Sequence, residues 1–147
     1  MEDSMKVKIY EKLPEEAKMI RTKVFVKEQG FENEFDEKDS ISIHIVLYDL
    51  SKPVATCRFY HSEERQCYVI GRIAVLKEFR GLNVGSKLLE VAEKEILDRN
   101  GSIAELSAQV RAAAFYEKNG YHSLGDVQVD EGCRHVWMRK KLKECLQ

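Results

Sequence analysis

The spacing of apolar residues changes period several times along the chain, and each change marks an element. Lys6 to Tyr10 alternates polar and apolar residues as a half-buried strand does. Pro14 opens a helix in which Ala17, Ile20, Val24 and Phe25 recur at helical spacing, and Gly30 ends it near Gln29. The stretch FENEFDEKDS that follows is acidic and aperiodic, a loop with room for one helical turn. Ser42 to Tyr48 is rich in β-branched residues, and after a turn over Asp49 to Pro53 the segment Val54 to Tyr60 forms its hairpin partner. Cys67 to Val75 adds a third strand to an antiparallel meander.

The pattern then turns helical. Val84, Leu88, Val91, Ala92 and Ile96 stripe one face of a helix that Asn100-Gly101 stops. Ile103 to Gln109 is a strand, and the intervening helix predicts that it lies parallel to the strand ending at Val75, through a right-handed crossover. A short helix over Ala112 to Lys118 closes at Asn119-Gly120; Tyr121 to Val129 and Arg134 to Lys140 read as the last strands, the final one antiparallel. The order predicts an α/β (α+β) fold with a mixed, mostly antiparallel sheet, one parallel pair, and helices on both faces. No repeat or linker interrupts it, and 147 residues suit a single domain, 1–147.

At IAVLKEFRGLNVGS an apolar run ends in a glycine-bearing turn just where a helical pattern begins. Gly81 and Gly85 carry no side chain to keep an anion away from the main chain, and the first N–H groups of a helix lack intrahelical partners. The helix dipole adds positive potential there. Arg80 can bring a mobile charge, and Ser86 and Lys87 further donors. The turn therefore reads either as a phosphate cradle or as a plain strand-to-helix connection. Neither the P-loop string nor G-x-G-x-x-G is present.

Charge and composition narrow the classes. With 24 basic and 25 acidic residues, the footprint of a nucleic-acid binder is missing. No apolar run approaches the roughly 20 residues that span a bilayer, and MEDSMKVKIY lacks the apolar core of a secretion signal, so a cytoplasmic location without membrane contact is expected. Cys57, Cys67, Cys133 and Cys145 form no C-x-x-C pair and have no histidine at ligand spacing, which indicates reduced thiols and no metal.

The order of elements, the turn RGLNVG and the string AAAFYEKNGY together resemble the GNAT superfamily of acyl-CoA N-acyltransferases. VFVKEQG, PVATCRFY, IGRIAVL and AQVRAAAFYEKNGY are similar to a small bacterial branch, ElaA-like or YjcF-like. The resemblance implies that Arg80, Gly81, Leu82, Asn83, Val84 and Gly85 occupy the superfamily's [QR]-x-x-G-x-[GA] turn, whose amides bind the pyrophosphate of coenzyme A, with Ser86 beside them. Asn83 stands where the central glycine is usual, and asparagine is the residue that best replaces it at positive φ or as a helix cap. Ile73, Ala74 and Val75 would pair with the pantetheine arm as an added strand. The parallel strands would splay into a cleft that admits it.

Acetyl transfer from a thioester to an amine needs a neutral nucleophile and a home for the departing thiolate. By resemblance Tyr116 would donate a proton to the sulfur, with Phe115 and Lys118 of the same helix against the cofactor; the alternative is a tyrosine that serves the core. The strand YVIGR carries no carboxylate, so the candidates for the base are Glu28, His44 and His135, or water alone. Glu32, Glu34, Asp36, Glu37 and Asp39 are expected either to draw in a cationic amine or to form a solvated loop. Arg58 and Arg72 would hold an anion or pair with nearby carboxylates. The expectation is an acetyl-CoA-dependent N-acetyltransferase acting on the amine of a small molecule (an amino sugar, a polyamine or an amino-acid derivative), possible as a homodimer. Its rivals are a protein N-acetyltransferase and a coenzyme-A-binding sensor.

Overall fold

The computed structural model describes residues 5–32, 34–130 and 132–143, which excludes Cys145. The chain divides into two compact units, one made of residues up to Tyr60 with Arg72–Ala92, the other of His61–Gly71 with Glu93 onward. Strands cross from one to the other in mid-course, which periodicity does not reveal.

In the first unit β1 (Met5–Tyr10) pairs antiparallel with β2 (Ile43–Asp49), Tyr10 opposite His44, and β2 pairs antiparallel with β3 (Lys52–Ser62), Ile43 opposite Phe59. The first helix begins behind Pro14 as α1 (Glu15–Arg21) and widens into a π-helix over Thr22–Glu28. Ala17, Ile20 and Val24 recur three and four apart, the ordinary α-helical spacing, so the change was invisible in the pattern. That helix packs Ala17, Ile20, Val24 and Phe25 against Val46, Tyr48, Ala74 and Leu76. The acidic stretch contains one 3-10 turn, Glu37–Ile41, started by a capping box between Asp36 and Asp39.

The second unit takes up the beginning of β4 (Cys67–Val75), then β5 (Ile103–Gln109), α3 (Ala113–Lys118), β6 (His122–Asp130) and β7 (Cys133–Lys141). Strand order here is β4-β5-β7-β6. The expected parallel pair is present, with Tyr68 opposite Ala104 and Val69 opposite Glu105, whereas β5–β7 and β7–β6 are antiparallel. β5 buries Ala104, Leu106 and Ala108, and β7 buries Val136 and Met138, each at alternate positions.

Helix α2 (Val84–Asp98) runs through both units and buries Val84, Leu88, Leu89, Ala92 and Ile96. At its end Asn100, not Gly101, takes the positive φ of 68°. Gly101 is needed for space instead: a Cβ there would lie 2.5 Å from Ile96 Cγ2 and 2.7 Å from Tyr68 Cδ2. No helix among the described residues is long and apolar enough to cross a membrane.

Candidate active site

In the first unit β4 ends at Val75, and a 3-10 turn over Lys77–Phe79 leads into the exposed segment Arg80 to Asn83. Gly81 has φ +80° with nothing within 4 Å of where a Cβ would stand, and Asn83 has φ +64°. Asparagine thus takes the left-handed conformation that its small polar side chain tolerates. Lys87 N–H reaches Asn83 O at 3.1 Å as the first bond of α2. The amides of Val84, Gly85 and Ser86 lie in the turn ahead of that bond, where a helix has no acceptors of its own. The fifteen-residue dipole ends at the same place.

Arg80 was expected to be a mobile charge, and it is tied. Its Nε donates to Val75 O at 2.9 Å, and Nη1 and Nη2 grip the two oxygens of Glu28 at 3.1 and 2.6 Å. Two candidates for different tasks, Arg80 and Glu28, are one ion pair. The Arg80 hydrogen bond holds the Glu28 carboxyl below its ordinary range, which makes it a weaker base.

Neither expectation for the acidic loop describes Glu34, Asp36 and Asp39, because the protein's own arginines hold all three. Arg21, 1 % exposed, donates from Nε to Glu34 Oε2 (2.8 Å) and from Nη1 to Asp39 Oδ1 (2.8 Å). Arg58 Nη1 bridges Asp36 Oδ1 (2.6 Å) and Asp39 Oδ1 (2.9 Å). Arg72 donates from Nε to Glu34 O (3.0 Å) and from Nη2 to Asp36 Oδ2 (3.2 Å). Burial alone would raise the Asp39 carboxyl, but Arg21 and Arg58 bring it down to about 2; for Glu34 burial prevails and the carboxyl is raised. The reading missed Arg21, although a charge four residues from both Ala17 and Phe25 in an apolar stripe signals a buried partner. Arg72 sits at φ +50° immediately before Ile73, a strained backbone that its contacts with residues 34 and 36 hold in place.

His44 belongs to this network. It is 1 % exposed, and its Nε2 lies 3.0 Å from Asp39 O. A carbonyl only accepts, so Nε2 carries the proton, while burial lowers the pKa and keeps the ring neutral.

The second unit holds the other candidates. Tyr116, on α3, is buried with its ring edge-on to Phe115 and Tyr121, at centroid distances of 5.0 and 6.2 Å. Phe115 is half-buried and Lys118 exposed. His135 stands half-buried on β7 opposite Gln109 of β5, its Nδ1 3.1 Å from Cys133 O. In the neutral ring that contact assigns the proton to Nδ1 and leaves Nε2 as an acceptor.

Strand, glycine-bearing turn and long helix, with a parallel strand pair and a tyrosine-bearing helix, define an acyltransferase of the GNAT type, and similarity to known proteins agrees. Residues 9–142 match the Acetyltransferase (GNAT) domain, and the chain belongs to that family. It is 39% identical over 124 residues to the uncharacterized N-acetyltransferase YjcF of Bacillus subtilis, covering 82% of this chain and 87% of that one. A crystal structure described as an N-acetyltransferase from Lactobacillus plantarum is 30% identical and superposes with a TM-score of 0.87, over 96% of this chain and all (100%) of that one. Escherichia coli ElaA shares the fold at 23% identity and a TM-score of 0.83, over 93% and 99% of the two chains.

Proposed function

We propose that the chain transfers an acetyl group from acetyl-CoA to the primary amine of a small molecule in the cytoplasm. The observation that carries this reading is the turn at Arg80 to Ser86, where Gly81 and Asn83 take positive φ at the head of a fifteen-residue helix. Main-chain amides of Gly81 to Ser86 hold the pyrophosphate, and Ile73 to Val75 align the pantetheine. The amine nitrogen attacks the thioester carbon, and the C–S bond breaks as the tetrahedral intermediate collapses. Tyr116 gives the departing sulfur its proton. Of the three candidates for the base we favour His135, whose Nε2 is an acceptor, over His44, which is buried, and Glu28, which Arg80 holds. Phe115 and Lys118 line the cofactor from α3.

The test is calorimetry with acetyl-CoA, followed by thiol release over a panel of amines. Binding with turnover supports the enzyme; binding without turnover leaves the sensor, and no binding ends both. Tyr116→Phe is expected to lower kcat at least tenfold with cofactor Kd unchanged. Equal losses in both would refute its role.

A further inference from the structure

β5 and β7 carry a row of polar side chains on the face of the second unit opposite Ala104, Leu106 and Met138. Cross-strand pairs place Glu105 beside Arg139, Ser107 beside Trp137 and Gln109 beside His135. Glu105 is 0 % exposed, yet its carboxylate is matched by two cations. Arg65 donates through Nε to Oε1, and Arg139 through Nε to Oε2 at 2.8 Å, with Nη2 2.6 Å from the same oxygen. Burial alone would raise this carboxyl, and the two guanidinium groups hold it below its ordinary range, so it stays charged.

Two guanidinium groups against one carboxylate leave a net charge of +1. Neither is swallowed by the fold, for the Arg65 side chain is 28% exposed and that of Arg139 40%. The Arg65 guanidinium lies 3.6 Å from the centroid of the Trp137 ring. Stacking fixes its plane while leaving its edge open, and among the described residues its Nη1 and Nη2 have no hydrogen-bond partner. A buried acid, an aromatic ring and two strands thus hold an uncompensated fork of N–H donors in one orientation. Preorganised forks of this kind match the two oxygens of a carboxylate or phosphate.

We propose that Arg65 and Arg139 form an oxyanion site, and that the acceptor is therefore an amine that also carries a carboxylate or phosphate. The second half of this inference rests on the acyltransferase reading above. Along β7 the site is four residues from His135, about 13 Å between backbone positions at 3.3 Å per residue. The acceptor thus carries its anion on a different part of its frame from its amine.

The tryptophan is the only one in the chain, so the site reports on itself. Inorganic phosphate and acetate, titrated at constant ionic strength, are expected to give a saturable change in Trp137 fluorescence in the wild type. Arg65→Gln keeps the Arg139 partner of Glu105 and should abolish the saturable change. An unsaturable response to both anions, or an unchanged titration in the variant, would overturn the site. Thiol release is then compared for glucosamine and glucosamine 6-phosphate, and for an ω-amino acid and its amide. The anionic member of at least one pair should have kcat/KM about tenfold higher, and Arg65→Gln should erase that preference without slowing the neutral member. Equal rates in both pairs would overturn the acceptor class. If no amine releases thiol, the acyltransferase reading is what fails, and the fluorescence titration still decides the oxyanion site.

Discussion

Asp39→Asn isolates the charge at the centre of the buried ion network, and its consequence can be worked out with a sign. The Asp39 side chain is 11% exposed, and its carboxyl is held at about 2 against an ordinary 3.8. That depression corresponds to about 2 kcal/mol of stabilisation. Because the native pKa is depressed, the stabilisation is fully present above pH 4 to 5 and is lost as pH falls through about 2. At pH 3, between the two values, about half of it remains. An amide keeps one acceptor but turns its NH2 toward Arg21 or Arg58, leaving buried cations short of charge, and breaking a buried pair costs about 3–5 kcal/mol. The expected destabilisation at pH 7 is therefore about 2–4 kcal/mol, shrinking by about 1 kcal/mol at pH 3. Urea unfolding of both proteins at the two pH values reads this difference directly. Glu34, with its raised carboxyl, and His44, kept neutral by burial, titrate with their own pH dependence in both proteins and cancel to first order. A loss below about 0.5 kcal/mol, or one that is the same at pH 7 and pH 3, would refute the reasoning.

Two further outcomes follow from packing in the second unit and from thiol burial. Gly101→Ala drives a methyl into Ile96 and Tyr68, and a thermal melt should show a loss of about 1–3 kcal/mol; an unchanged Tm would mean that those side chains relax without strain. In a Cys145→Ser background, native-state titration with an aromatic disulfide should label Cys133 quickly, while Cys57 and Cys67 wait for denaturant. Burial removes both from solvent and raises their pKa, that of Cys67 to about 11 with help from the Glu105 charge. Rapid labelling of all three would contradict the packing of β3 and β4.

Local signals were enough for most of the scaffold. Cys67–Val75 and Ile103–Gln109 carry β-branched or alternating apolar positions, and their observed limits are those read from the sequence. Gly81 was legible as a residue without a side chain to block the main chain, and Asn83, through the resemblance, as one that tolerates positive φ; both take it. The parallel pairing of β4 with β5 followed from the helix between them, since a crossover of that length brings the chain back in the same direction.

Side-chain partnership was another matter. The acidic segment reads as solvent-facing from composition alone, yet Glu34 and Asp39 are 5 % and 8 % exposed because Arg21, Arg58 and Arg72 reach them from elements separated by up to 38 residues. Arg80 reads as available until Glu28, 52 residues away, is seen to hold it. The open fork at Arg65 exists only because Glu105 and Trp137, from strands far along the chain, meet it on one face. Backbone conformation and hydrophobic period are properties of neighbours in sequence, so the chain by itself determined its strands, its helices and the glycine-bearing turn between β4 and α2. Which charges neutralise one another and which remain free depends on distances of about 3 Å between distant segments, and only the tertiary structure decided that.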